Sequence, residues 1–278
     1  VLPYLDPALA LLWRAPGVLQ VGLDPARSWA LAGAPSSLPR VLRRLVGQHP
    51  ADDLLGDLAG SADQDECRRA LGLLEDSGAV RHGDPATLWA QAWVEVVGDG
   101  PLAAVTRALL DGTVGRCSGA DEPGARRADL VVLAPDQGRG LVHADGLMAR
   151  GIPHLWLHRR DGRAVVGPLV HPGRTPCLRC TDLHRTDADD AWPRLVVAFE
   201  HAAPAGQSTR DGVAGATLAG AVAVGQVLRW LAGEPTASSG GTLEEQPDGS
   251  LLVLSWSTHP RCGCGWATTA AGGQMRAG

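Results

Sequence analysis

G-P-L-V-H-P-G-R-T-P-C-L-R-C, from Gly167 to Cys180, carries a strand-like run straight into two cysteines three positions apart. Pro176 stiffens the entry to that pair. The counterpart is R-C-G-C-G-W, from Arg261 to Trp266, with Cys262 and Cys264. Two close pairs supply four thiolates, the ligand set of a tetrahedral zinc ion. With every position filled by protein, none stays open for water, so such a site is structural rather than catalytic. The pattern predicts structural zinc on Cys177, Cys180, Cys262 and Cys264. The second pair, C-x-C, is tighter than the usual knuckle, and His259 or His171 is an alternative to one of its thiolates. A redox C-x-x-C competes with this reading, but it would not need a second pair. Cys67 and Cys117 stand alone and read as buried or free thiols.

Working upstream, Arg163–Leu169, Ile152–Leu157, Ala128–Ala134 and Ala92–Val97 are strand-like runs. Ala92–Val97 shows little alternation, as in a sheet covered on both faces. Helical patterns over Leu102–Leu110 and Arg139–Arg150 lie between them. This alternation predicts an α/β domain over residues 90–267 with a Rossmann-type, mainly parallel sheet. Downstream come a polar loop around Thr186–Asp190, then Trp192–Phe199, and then a glycine-rich run, Val213–Leu231. A final hairpin, Gly241–Gln246 with Ser250–Trp256, ends at the second cysteine pair. Val213–Leu231 is apolar enough to raise the question of a membrane span. It carries Gln226 and Arg229, and we read it as a buried helix packed closely on the sheet. Residues 268–278 read as a flexible tail.

The front of the chain, residues 1–85, reads as a separate small α+β domain. Leu9–Arg14, Val18–Leu23 and Ser28–Leu31 are short strands divided by A-P-G and D-P-A-R turns. Helical patterns follow over Leu38–Val46, Ala51–Leu58 and Asp63–Asp76. The third helix has an acidic first turn, an apolar stripe of Cys67, Ala70, Leu71 and Leu74, and Gly78 as its cap. Three strands and three helices make a winged-helix-like unit. It holds eight Arg against eleven Asp plus Glu, a poor partner for phosphate. The remaining reading is peptide binding by β-augmentation. The groove would run along Ser28, Trp29, Ala30 and Leu31 and against Arg68, Leu71 and Glu75.

The whole chain of 278 residues has a formal charge of −5, which argues against nucleic acid or an anionic membrane as partner. The sequence contains no lysine, so arginine carries all the basic charge. The opening V-L-P-Y-L-D-P lacks a basic n-region and reads as no signal peptide. Paired cysteines without secretion features point to metal in a reducing cytoplasm.

V-E-V-V-G-D-G-P-L-A-A-V sits where a nucleotide fold places its phosphate loop, between strand and helix. Only Gly98 and Gly100 are present, and Asp99 adds a negative charge to the turn. A retained scaffold turn is the better reading. Asp136 stands at the carboxyl end of a strand, where α/β proteins place ligand-handling residues, although such an Asp also caps helices. No G-x-S-x-G elbow occurs.

The Gly167–Cys180 run, D-A-W-P (Asp190–Pro193) and H-P-R-C-G-C-G-W (His259–Trp266) resemble the ThiF-like partner proteins of azole-forming peptide biosynthesis. These are leader-peptide-binding relatives of ubiquitin-activating-type adenylyltransferases, which carry a comparable four-cysteine structural zinc. The resemblance covers nearly the whole chain, since the front domain looks like a PqqD-type recognition element. It implies a precursor leader peptide and a YcaO-type cyclodehydratase as partners, with a homodimer also in the family's range. The adenylating relatives use a glycine loop, acidic and basic residues, a lysine and a later aspartate on ATP and Mg. Here only Asp136 matches plainly, and the interval from Gly98 has room for one helix, a linker and a strand. The expectation is a non-catalytic adaptor. The rival is an ATP-dependent adenylyltransferase acting on a carboxylate through Gly98, Gly100 and Asp136.

Overall fold

The computed structural model describes residues 2–60, 62–119, 128–135, 141–201 and 209–265. Asp136 and the tail at 268–278 lie outside the described residues. The chain divides into two compact units, Val1–Leu88 and Trp89–Gly278.

In the first unit, β1 (Pro3–Leu5) pairs antiparallel with β5 (Val80–His82). Between them, β2 (Leu11–Ala15), β3 (Val18–Val21) and β4 (Trp29–Ala32) form an antiparallel sheet in that order. The helices α1 (Leu38–Leu42), α2 (Ala51–Gly56) and α3 (Ala62–Asp76) follow β4. Cys67, Ala70, Leu71 and Leu74 line the buried face of α3, at the helical spacing expected. The helix ends at Gly78, beyond which the Ala79 N–H donates to Leu74 O at 2.8 Å. The three-residue strands β1 and β5 escape the sequence reading, as does α4 (Pro85–Gln91), because segments this short show no periodicity.

The second unit holds a seven-stranded sheet. Its elements in chain order are β6 (Trp93–Val97), α5 (Pro101–Leu110), β7 (Arg116–Gly119), β8 (Leu130–Leu133), α6 (Leu141–Ala149), β9 (His154–Arg160) and β10 (Arg163–Val170). Then come α7 (Leu178–Ala188), α8 (Trp192–His201), α9 (Thr209–Leu231), β11 (Gly241–Glu245) and β12 (Leu251–Ser255). The sheet order is β12-β11-β10-β9-β8-β6-β7. Strands β7, β6, β8 and β9 run parallel, whereas β9 to β12 are joined antiparallel. The expected mainly parallel sheet is therefore half antiparallel. β9 and β10 form a tight hairpin across Asp161 and Gly162, and β11 and β12 form another, and neither has room for a crossover helix.

Alternate residues of each central strand enter two cores. Val94, Val96, Leu130, Val132, Leu155 and Leu157 meet α5 and α9 on one face. Trp93, Val131, Leu133 and Trp156 meet Ala144 and Leu147 of α6 and Leu178 on the other. The glycine-rich run forms α9, with Ala216, Ala219, Ala223, Val224 and Val227 buried in the first core. An 18-residue window, Ala214–Leu231, is long and apolar enough to cross a membrane by length and composition alone. Gly220 meets Val105 of α5 rather than the sheet.

Candidate functional site

The first cysteine pair is built by a turn. After β10, the Thr175 hydroxyl accepts from the His171 N–H at 2.8 Å and donates to Leu169 O at 3.3 Å. Cys177 is then the N-cap residue of α7, and Cys180 lies in the first turn of that helix. The sequence reading missed α7, because the polar residues around Thr186–Asp190 concealed its last turn. The second pair needs both thiols of a C-x-C on one side of the chain. Gly263, with φ +72°, supplies that bend.

The four sulfurs gather. Cys177 and Cys180 Sγ are 3.8 Å apart, Cys177 and Cys262 3.4 Å, and Cys180 and Cys264 3.3 Å. All four lie within 4.8 Å of one another. Four thiolates about 2.3 Å from a tetrahedral ion are roughly 3.8 Å apart, so the arrangement fits one metal ion. Among the described residues this is the one cluster of metal-binding side chains. The Cys177 thiol donates to Cys180, which pushes Cys180 down to about 4, and the His259 N–H, 3.3 Å away, also favours the anion. Cys177 is pushed up by the same bond. Cys264 is pushed up to about 12, first by burial and then by its bond to Cys180. The ring thus favours an anion that a cation can share.

His259 is not a ligand in this geometry. Its Nδ1 accepts from the Arg261 N–H at 3.1 Å, so Nε2 carries the proton and donates to Asp187 Oδ2 at 2.8 Å. That bond, with Arg261 alongside, holds the Asp187 carboxyl below its ordinary range. His171 stands outside the cluster, edge-on to Trp230. These contacts belong to a longer seam along α7. The His184 Nε2–H donates to Ser257 O at 3.0 Å, and the Arg185 guanidinium stacks between Trp192 at 5.1 Å and Trp256 at 4.8 Å. Arg185 also pairs with the buried Glu244, as does Arg160. The closing H-P-R-C segment is therefore laid along the helix that begins at Cys177. The sequence reading missed His184, Arg185, Asp187 and Glu244. Their only signal was nearness to the cysteine and D-A-W-P motifs.

The strand order places β6 between β7 and β8, so the topological switch point lies at the carboxyl ends of β6 and β8. That is where open α/β sheets hold ligands. Gly98 stands there with φ +138°, and a Cβ on it would lie 2.0 Å from Ala134 O. The Ala134 N–H donates to Val97 O at 2.8 Å, extending the ladder across the same point. Gly100 is the N-cap of α5, followed by Pro101. Arg107 of α5 turns back onto the carbonyls of Val96 and Gly98.

The front-domain residues are placed as follows. Leu31 and Leu71 are both buried in one cluster, with Trp29 packed against it. Ala30 is exposed and Ser28 half-buried, and the outer edge of β4 has no strand partner among the described residues. Arg68 lies 3.5 Å from Asp52 and Asp65 on the surface, and Glu75 lies 3.9 Å from His82.

No family model and no curated protein sequence matches the chain. Solved structures do. A heterocyclase in complex with substrate and cofactor aligns with TM-score 0.64 at 16% identity, over 95% of this chain and 39% of that one. The heterocyclase TruD gives 0.63 at 17%, over 96% and 43%. Escherichia coli MccB, also solved with ATP, gives 0.59 at 13%, over 95% and 96%. The chain thus spans about two fifths of the heterocyclases and nearly all of MccB. At this identity the likeness is one of fold, and at that level it agrees with the resemblance to cyclodehydratase-associated ThiF-like proteins.

Proposed function

We propose that the chain is a non-catalytic adaptor in azole-forming peptide biosynthesis. Its front unit, read as a winged-helix-like PqqD-type domain, takes the leader segment of a ribosomal precursor along the open edge of β4. Its second unit, stapled by zinc on Cys177, Cys180, Cys262 and Cys264, docks a YcaO-type cyclodehydratase that forms the azoline rings in the cytoplasm. Tethering the leader raises the effective concentration of the peptide core at the partner's site, with no bond made by this chain.

The observation that carries this reading is the state of the switch point. Gly98 is committed to close backbone contact with Ala134, and Arg107 is folded onto main-chain carbonyls. With no lysine in the chain, no cation is left for a phosphoryl clamp among the described residues there. The fold shared with MccB, a protein solved with ATP, favours the second reading: adenylation of a carboxylate through Gly98, Gly100 and Asp136.

Calorimetric titration of the zinc-loaded protein with ATP·Mg, and separately with leader peptides encoded nearby, separates the two. Micromolar peptide binding without nucleotide heat supports the adaptor. Nucleotide heat that disappears in Asp136→Ala supports the adenylyltransferase.

A further inference from the structure

The second cysteine pair reaches the first from far along the chain. It lies beyond β12, in a segment with no helix or strand of its own. Cys177 and Cys180 are ordered by α7, whereas Cys262 and Cys264 need another support. One residue supplies it. His259 is buried, and its two main-chain and two ring groups are all bonded. Its main-chain N–H donates to Cys180 Sγ at 3.3 Å, and its carbonyl accepts from the Cys262 N–H at 2.9 Å. Its Nδ1 accepts from the Arg261 N–H at 3.1 Å, and its Nε2–H donates to Asp187 Oδ2 at 2.8 Å. The bonds to Arg261 and Cys262 shape the turn that carries the second pair. Those to Cys180 and Asp187 fasten the turn to α7. Cys180, His184 and Asp187 follow the i, i+4, i+7 spacing that lines one face of a helix. The His184 ring meets the His259 ring edge-on, with centroids 4.7 Å apart.

We infer that Asp187 and His259 are positioning residues for the metal site: they hold the second cysteine pair against α7 and so set how tightly the four thiols keep a cation. The inference rests on the zinc reading of the cysteines. A cation bound by a loose turn must offset the entropy of ordering that turn, and a turn already fastened removes the cost from the binding step. Groups behind metal ligands act on affinity in this way, and losing one typically costs about 10- to 100-fold. Arg261 also reaches Asp187, but that ion pair joins side chains 60% and 52% exposed, whereas the His259 side chain is 4% exposed. The bond from the buried ring therefore carries the fastening, and the exposed pair adds little.

The test is the zinc affinity of the full chain, measured by competition with a chromophoric chelator, together with the rate at which the chelator draws zinc from the loaded protein. Asp187→Ala, a change at a half-exposed side chain, should weaken zinc binding roughly 10- to 100-fold and speed its release. Asp187→Asn keeps an oxygen that accepts the Nε2–H and should recover most of the loss. Arg261→Ala, which keeps its main-chain N–H, should stay within about threefold of wild type. Cobalt(II) in place of zinc gives a readout that a loss of fold would not reproduce. At saturation, Asp187→Ala should show the wild-type thiolate-to-cobalt absorption per bound ion, because the four ligands are unchanged. Only the concentration needed to reach it should rise. Wild-type affinity in Asp187→Ala overturns the inference and leaves the metal reading standing. A loss that Asp187→Asn does not restore overturns it too, as does weaker absorption per cobalt, since the carboxylate would then act on the fold or the ligand set rather than through His259. A wild-type chain that binds no zinc overturns both the inference and the metal reading.

Discussion

The two halves of the seven-stranded sheet are held by different physics. The parallel half, β7 to β9, centres on β8, every residue of which is buried. The antiparallel half thins outward. β12 is exposed, and the cluster beneath the second cysteine pair buries only Val170, Cys177 and Cys180. The large core reaches from the parallel strands into β10 and β11, whereas the four gathered thiols rest on a small cluster of their own. Apolar burial stabilises the centre of the sheet, and a cluster as small as the one at the cysteines is the kind that a cross-link stabilises.

The sharpest way to break that contrast is to deny the four thiols the zinc proposed for them. Chelation, or Cys180→Ser, should lower the melting temperature by roughly 10 °C or more, since losing a structural metal belongs with the largest single-site effects. Limited proteolysis should then cut within residues 256–265, while far-UV circular dichroism retains the α5 and α9 signal. Zinc should restore the chelated wild type and not the variant. An unchanged melt would mean that the seam of Arg185, His184 and Asp187 holds the segment without metal.

The next effect lies in the other half. Gly98→Ala forces a Cβ to within 2.0 Å of Ala134 O at a φ that side chains rarely adopt. We expect a loss of about 3 kcal/mol in chemical denaturation. Gly100, at φ −85°, should tolerate Ala at about 1 kcal/mol or less. If both variants are equally stable, the close contact at the switch point is not what shapes that turn, and the case for a scaffold turn weakens.

Glu244 joins the halves, because Arg160 of β9 and Arg185 of α7 both converge on its buried carboxylate. Glu244→Gln leaves two guanidinium groups facing a neutral amide. Both arginines keep some contact with solvent, so the expected cost is about 2 kcal/mol, below the full value for a buried pair. Paired melts of the single variants and of Glu244→Gln with Arg160→Gln would show coupling. Strict additivity would argue that the cluster is a set of independent surface contacts.

Much of this contrast could be read from the sequence, and the reasons are specific. The cysteine spacing pointed to four thiols that the fold gathers, without knowledge of the path between them, because metal chemistry constrains residue type and pairing directly. The buried strands Trp93–Val97 and Leu130–Leu133 were legible because both their faces are apolar. Strand direction was not, since a run such as Arg163–Val170 reads the same whether its neighbour is parallel or antiparallel. The helix at Leu178–Ala188 was hidden because its exposed face is polar and its partners, Trp256 and His259, lie far along the chain. The tight C-x-C was readable in principle, since the residue between its thiols is glycine.

The smallest expected effect tests the seam strand itself. β9 pairs in parallel with β8 and antiparallel with β10, and His154 opens it, opposite Val131 on one side and Val170 on the other. The ring is 1% exposed. Its Nδ1–H donates to Ile152 O at 2.9 Å, and its Nε2 has no hydrogen-bond partner among the described residues. Burial lowers its pKa from the ordinary 6.5, so the folded chain holds it neutral. Above pH 6.5 neither state binds the proton, and stability is at its full value. As pH falls below 6.5 the unfolded chain protonates first, and stability is lost until the folded value is reached. The loss should be read as a denaturation midpoint that falls as pH drops below 6.5. Acid also strips metal from thiolates, so the diagnostic is the difference between wild type and His154→Asn, which keeps an N–H for Ile152 and cannot ionise. A shallower acid slope in the variant would place the pH sensitivity on the strand shared by both halves. An identical slope would assign it to the cysteine cluster instead.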